Sequence, residues 1–418
     1  VVRVMWLQTV GSADLLAAGR AQTTSDQTVR ADRGSIFASD GSEMALSVPS
    51  KTVIANPKLV VDPTGEVSVL GNLLGLSAAK QQALIDTFAA KTKVFVYVAR
   101  QVSDTTASSV TSLNLPGIDV ITESRRILPS GAVGRSLLGR TDIDGKGTAG
   151  LELQYNGLLT GVDGEMIRQH DSRGRSIPGS DATSRAPVPG QDLVLTVNRS
   201  LQFEVEQALV ARLQKVKGAG GSVVVMDSRT GDIYAAANAL RDKKDPTKVA
   251  ITNANLAAVE AFEPGSVAKV FSLAATVDSG VANPDTEIDV PGALVFDPGT
   301  KWKSTISDAE VHGTEKMTMR RIMVHSSNIG TYLLSQRITS ETLFNYFTAF
   351  GFGKKTALDF PGETTGNVPD PSQWKGTEAV TVTYGYHYQA SAMQFAAAVN
   401  AVANRGMYVA PKLVKATI

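Results

Sequence analysis

Ser266 and Lys269, three residues apart in the run Phe262-Glu-Pro-Gly-Ser266-Val-Ala-Lys269-Val-Phe-Ser-Leu-Ala-Ala275, offer a nucleophile and a base on one face of a helix. Pro264 and Gly265 close the preceding loop, and Lys269 is the sole charged residue between Glu263 and Asp278. A helix that is apolar nearly all round lies inside a core, so Lys269 is expected in a poorly solvated place. Desolvation disfavours an ammonium, and a lysine lowered in this way holds a neutral amine able to take the Ser266 proton. The free N–H groups and positive dipole end of the helix start favour negative charge developing near Ser266. A bare Ser-x-x-Lys is common in long proteins. A lone lysine in an apolar helix is costly unless something uses or pairs it, and that is the stronger signal.

A second polar cluster, Ser326-Ser327-Asn328, interrupts two apolar runs: a helical stretch from Met317 to Val324 and the segment Ile329 to Leu334. Ser326 and Asn328, two apart in a tight turn, could both point into one cleft, one carrying a proton and the other donating a hydrogen bond. Taken alone, Ser-Ser-Asn reads as a helix cap.

In order and separation, Ser266-x-x-Lys269 followed by Ser326-x-Asn328 resembles the active-site motifs of the penicillin-binding proteins and serine β-lactamases. The resemblance extends over nearly the whole chain. Arg33-Gly-Ser-Ile-Phe37 with Asp40-Gly41 is similar to the N-terminal signature of class B penicillin-binding proteins. Gly150-Leu-Glu152 before Tyr155, and Leu195-Thr-Val-Asn198 before Leu201-Gln202, resemble that class's pedestal and its entry into the transpeptidase domain. Val223 to Asp227 with Thr230 to Ala235 resembles its first sheet hairpin, and Phe95 to Val102 leans towards the cell-division type.

The resemblance implies a multidomain chain with a mixed α/β pedestal, followed by an α/β transpeptidase domain of the α+β sandwich kind. The divisions expected are a juxtamembrane helix after a removed anchor (1–25), a pedestal or dimerisation-type domain (26–185) and an incomplete penicillin-binding domain (186–418). It further implies a serine D,D-transpeptidase that cross-links peptidoglycan stem peptides in cell-wall biogenesis and is acylated by β-lactams. Ser266, Lys269, Ser326 and Asn328 would be catalytic, with Ser266, Ser326 and Asn328 also contacting substrate, and no cofactor or metal would be needed. The implied partners are a membrane glycosyltransferase of the shape, elongation, division and sporulation group and proteins of division or elongation. The implied location is a single-pass anchor in the cell membrane with the catalytic domain on its outer face. A D,D-carboxypeptidase, a β-lactam-sensing domain and a non-catalytic division scaffold remain as alternatives.

Two departures from the family pattern stand out. Its third motif, Lys-Thr-Gly or Lys-Ser-Gly on a strand beside the nucleophile, is expected after Val414 and does not occur before Ile418. Lys354-Lys355-Thr356 lies well upstream and is followed by Ala357 where glycine is required. In Tyr384-Gly-Tyr-His387 a histidine stands where the family usually has glycine, read as a surface or packing residue with cleft lining as the alternative.

The remaining sequence narrows the field. Lys and Arg (41) nearly balance Asp and Glu (40), which gives no basic field for nucleic acid. With no cysteine there is no thiolate nucleophile, thiolate zinc site or disulfide framework. His170, His312, His325 and His387 are scattered without metal-ligand spacing; His325 is expected to end a helix and face outward. Glu263 is expected to be a solvated or capping carboxylate. Asp142 to Gly147 resembles a calcium loop, but Lys146 falls on a ligand position, so a turn is expected. Val1 to Leu7 is too short to cross a bilayer; it reads either as the outer end of an anchor or as part of an amphipathic helix. Residues 1 to about 185 read as short strands with few long helical patterns, and Arg173 to Pro189 as a flexible boundary. After it come a strand (192–197), a helix (200–216) and a hairpin (221–238).

Overall fold

A computed structural model describes residues 24–169, 171, 177, 179–180, 182–296 and 304–418. The expected helix at 1–25 therefore lies outside the described residues, save its last two positions. Among the described residues no helix is long and apolar enough to cross a membrane.

The N-terminal half is organised by one long strand, Glu43–Ala55. Ile118–Ile127 pairs with it antiparallel from Leu46↔Ile127 to Ala55↔Ile118, and Val96–Val102 lies on its other side. Three helices, Pro63–Leu74, Ala78–Ala90 and Asp104–Ser112, close over one end and share a core of Val53, Val67, Leu70, Phe88 and Val110. Short strands with few long helical patterns are the expectation here, and these three helices exceed it. Each buries few apolar side chains; Gly65 and Gly71 in the first helix and the Ser and Thr residues of the third lower propensity, whereas Ala78–Ala90 is rich in helix formers, and all three dock on the sheet and are capped by Asp62, Ser77 and Ser103. A second sheet joins Thr24–Val29, Gly164–Gln169 and Ala182–Arg185, all antiparallel. Part of the expected flexible boundary is thus an edge strand.

A buried charge cluster ties this half together. Glu152, its side chain 2% exposed, accepts from Arg33 Nε at 2.6 Å and from Arg126 Nε at 2.7 Å. Arg33 also donates to the Glu152 carbonyl, Asn156 and Thr160. Asp142 Oδ1 accepts from the Asp144 and Lys146 amides in the turn expected there.

The two halves share a core. Leu193–Leu195 runs parallel to Ile36–Phe37 and antiparallel to Val414–Thr417, and Ile36, Met44, Leu151, Leu195, Ile233 and Met393 pack in one cluster. Beyond the junction, Gly220–Met226, Ile233–Arg241 and Val249–Ile251 form an antiparallel sheet. Its central strand is thin, with Ala235, Ala236, Ala237 and Ala239 all fully buried, which lets helices approach closely. Leu209 and Leu213 of the Arg199–Val216 helix pack on Ala237 and Ala239, and the Ala392–Ala403 helix packs against Gly220–Met226.

The helical lobe is built around Lys269–Asp278. Phe271 lies 4.9 Å from Phe350 and 5.0 Å from Phe352, and Phe347 stacks on the fully buried Tyr388. Aromatic packing of this kind fixes the helix beneath its first turn. The stretch expected to be helical from Met317 starts as a strand, Glu315–Thr318, and becomes a helix only at Met319, where Thr318 caps it by accepting from the Arg321 amide.

Candidate active site

The segment after Pro264 begins as a tight 3-10 turn, Gly265–Ala268, and widens into the α-helix at Lys269. Gly265 has φ +58°, and its amide donates to Gly385 O at 3.0 Å. Gly385 must itself be glycine: a Cβ there would lie 2.0 Å from Gly265 O. Glu263 Oε1 accepts from the His387 amide at 3.0 Å, so the 384–388 loop is clamped along the serine turn at two points. Glu263 is exposed and caps an amide, in keeping with its sequence reading. His387 has φ +63° and a side chain 44% exposed, 4.0 Å from Glu378.

Ser266 is exposed, and among the described residues its hydroxyl has no hydrogen-bond partner. Lys269, one turn on, is 1% exposed. Its Nζ donates to Ser326 Oγ at 2.9 Å and to the Ser326 carbonyl oxygen. Both acceptors are neutral, so the desolvation of the ammonium is poorly offset, and the amine is pushed down to about 8; the Asp308 carboxylate pulls weakly the other way.

Ser326 is presented by a specific backbone device. The Met319–Val324 helix ends at His325, with Ser327 N bonding Ile322 O and Ser326 N bonding Met323 O. That pair of bonds puts Ser326 at the left-handed position of a Schellman ending, at φ +53°, where glycine usually stands. A non-glycine residue there costs about 1–2 kcal/mol, and such strain gathers where a side chain is needed. Ser327 then caps the next helix, Asn328–Ser335, accepting from Gly330 N at 2.8 Å. The tripeptide is therefore both a helix cap and the carrier of the hydroxyl that meets Lys269.

Asp308, its side chain 6% exposed, holds this turn from behind. Oδ1 accepts from the amides of Asn328 (2.6 Å) and Ile329 (3.0 Å), and Oδ2 from Ser327 Oγ (2.5 Å) and His312 Nε2 (3.1 Å). These donors hold its carboxyl below the usual range despite burial. Asn328 Nδ2 donates to Ser307 O at 3.0 Å. Asp308 was missed in the sequence, where it is one acid in an aperiodic loop 18 positions before Ser326, with no spacing that marks it.

Of the four expected residues, Lys269 and Ser326 touch, Asn328 flanks them on the same turn, and Ser266 stands one helical turn from Lys269 without a bond to it. His325 faces outward, 43% exposed, as expected. Thr356 of the Lys354-Lys-Thr run is buried and bonded to Glu363, away from this cluster. An apolar hollow of about 260 Å³, bounded by Val224, Phe262, Pro264, Val267 and Phe395, opens beside the serine turn. Among the described residues no cluster of His, Cys, Asp and Glu could hold a metal ion.

The chain as a whole is similar to known proteins. The penicillin-binding protein dimerisation domain matches residues 28–195 and the penicillin-binding protein transpeptidase domain residues 221–418. Penicillin-binding protein PbpB of Mycobacterium tuberculosis is 30% identical over 438 residues, covering 100% of this chain and 63% of its own length. Peptidoglycan D,D-transpeptidase FtsI of Escherichia coli is 31% identical over 417 residues, covering 97% and 68%. The chain thus spans about two thirds of the length of these relatives. Among solved structures, a peptidoglycan synthetase from Bifidobacterium adolescentis superposes with a TM-score of 0.69 at 28% identity, covering 94% of this chain and 75% of that one. Penicillin-binding protein 3 of M. tuberculosis, complexed with aztreonam, gives 0.64 at 25% identity, covering 94% and 68%. Pedestal and catalytic lobe alike are accounted for by one lineage, and the chain belongs to the class B penicillin-binding proteins.

Proposed function

We propose that this protein is a serine D,D-transpeptidase that cross-links peptidoglycan stem peptides and is acylated by β-lactams, with Ser266 as nucleophile. The observation that carries this is the buried Lys269 amine, bonded among the described residues to neutral oxygens of Ser326 alone and depressed to about 8, one turn from an exposed serine hydroxyl.

In the proposed reaction the neutral Lys269 amine takes the Ser266 proton as Oγ attacks the penultimate D-Ala carbonyl carbon. The tetrahedral adduct collapses to a Ser266 ester, the scissile C–N bond breaks, and the Ser326 hydroxyl passes a proton to the departing D-Ala amine, replenished from Lys269. Asn328 positions the peptide amide. The Ser266 N–H forms half of an oxyanion hole, and the family's third-motif strand would form the other half. The amine of a neighbouring stem peptide then attacks the ester, restoring Ser266. No cofactor enters these steps.

The proposed division is a pedestal at 26–185 and a transpeptidase domain from 186. The pedestal would set the catalytic domain's height above the membrane on the extracytoplasmic face, held by a single-pass anchor preceding it. It would also contact a membrane glycosyltransferase and division proteins; names such as FtsI among the relatives favour division over elongation.

Product analysis with stem-peptide substrates and full-length protein tests the reaction. Cross-linked dimer is expected. Trimmed monomer alone would instead indicate a D,D-carboxypeptidase, acylation without turnover a β-lactam sensor, and no reaction a scaffold.

A further inference from the structure

His312 is half-buried behind the Ser326 turn, and both of its ring nitrogens are occupied. Nδ1 lies 2.6 Å from Gly313 O and Nε2 lies 3.1 Å from Asp308 Oδ2. A carbonyl oxygen can only accept. The Asp308 carboxylate can also only accept, because its two oxygens already receive the Asn328 and Ile329 amides and the Ser327 hydroxyl. Both ring nitrogens must therefore donate, so the imidazole carries two protons. Its segment is fixed on the other side as well: a Cβ on Gly292 would lie 2.0 Å from His312 O.

We propose that His312 is a positioning residue for acylation: as an imidazolium held between Gly313 O and Asp308, it locks the carboxylate that sets the Ser326 hydroxyl against Lys269 Nζ. The inference rests on the transpeptidase reading and adds to it a residue that touches neither substrate nor Ser266. Asp308 accepts three bonds from the turn and a fourth from His312, which braces the carboxylate from the side away from the turn. With that donor removed, Oδ2 keeps only the Ser327 hydroxyl, and the carboxylate's hold on the turn loosens. Ser326 sits at a strained φ immediately before these anchored residues, so it moves when they do.

The charged groups around the ring are Asp308 on its own loop, Glu315 on the following strand, paired with Arg321, Glu310, paired with His325, and Lys269 across Asp308. The bonds to Asp308 and Gly313 raise the ring above the usual histidine range. A raised pKa means that the clamp is complete at low pH and is lost as pH rises through the folded value.

The test uses full-length protein and two readouts. The first is an NMR titration of the His312 ring and of the Asn328 and Ile329 amides, with no β-lactam present. The second is the rate constant of benzylpenicillin acylation against pH for wild type, His312→Ala and His312→Gln. A doubly protonated ring near neutral pH is expected, with both amide signals following its titration. His312→Ala should acylate about tenfold more slowly, with the loss in the acylation step and not in drug affinity. Gln keeps one donor towards Asp308, so His312→Gln should recover most of the rate while losing the limb due to His312. A singly protonated ring near pH 7, or His312→Ala acylating at the wild-type rate with an unchanged profile, would overturn the proposal. If His312→Ala does not fold, the wild-type ring titration decides. Absence of any Ser266 adduct in a wild type whose ring behaves as expected would sink the transpeptidase reading and leave the clamp standing.

Discussion

Two buried charge clusters, one in each half of the molecule, are built on opposite rules. In the pedestal, Glu152 meets two guanidinium groups at 2.6 and 2.7 Å, so each buried charge has an opposite charge in contact with it, with one positive charge left over. In the catalytic lobe, Lys269 is equally buried but meets a hydroxyl and a carbonyl, and the nearest carboxylate, Asp308, spends its hydrogen bonds on the Ser326 turn. The first cluster holds charges and keeps them. The second makes a charge expensive, and a group whose charged form is expensive is one that can exchange its proton near neutral pH.

The contrast can be attacked at four points. The largest effect is expected for Ser266→Ala, which should abolish covalent labelling by penicillin while leaving the thermal transition nearly unchanged, since it removes one exposed hydroxyl. Retained labelling would move the nucleophile elsewhere. Lys269→Ala should slow acylation about a thousandfold by removing the base. With the falling limb due to His312 removed, as in His312→Gln, the acylation rate should rise with pH through about 8 and then level, because the proposed base is the neutral amine. A flat profile across that range would make Lys269 structural.

The third point sets the clusters directly against each other through stability. Glu152→Gln leaves two buried guanidinium groups without their carboxylate and should cost about 3 kcal/mol in denaturant unfolding. Lys269→Met removes an ill-compensated amine and should gain about 1–2 kcal/mol near neutral pH while destroying activity. The sign follows from linkage. The folded amine is depressed to about 8 from an ordinary value near 10.4, so its penalty is full below pH 8 and vanishes as pH rises towards 10.4. The gain from Lys269→Met should fade over that window. A loss of stability in Lys269→Met would erase the distinction between the clusters.

The smallest effect separates useful from incidental strain. His387, like Ser326, is a non-glycine residue at positive φ, but its side chain is half exposed. His387→Gly should gain about 0.5 kcal/mol, relief of left-handed strain partly offset by chain entropy, and should leave acylation unchanged. A drop in acylation would instead place His387 in the cleft.

How much of this was legible in the sequence follows from the range of each interaction. The depressed Lys269 could be read from its own helix, because an apolar run with a single charge dictates its surroundings. The Schellman presentation of Ser326 could not, since nothing but a solved helix ending identifies a serine in a glycine position. Asp308 was invisible because its partners lie about 20 residues on, across two elements, and no period links them. Two pedestal helices, Pro63–Leu74 and Asp104–Ser112, escaped because glycine, serine and threonine weaken their pattern, and Ala78–Ala90 because its apolar stripe is thin, with Leu84 and Phe88 its buried residues. The long strand beneath them carries Pro49 paired opposite Ser124, a residue that argues against a strand interior when read locally.

The most direct measurement is intact-mass spectrometry with peptide mapping after exposing the full-length protein to benzylpenicillin. A single adduct on Ser266, absent from Ser266→Ala and, with the His312 limb removed in His312→Gln, forming faster as pH rises through about 8, is the predicted result. No adduct, or one mapped to another residue, would contradict the assignment of Ser266 and Lys269 as nucleophile and base.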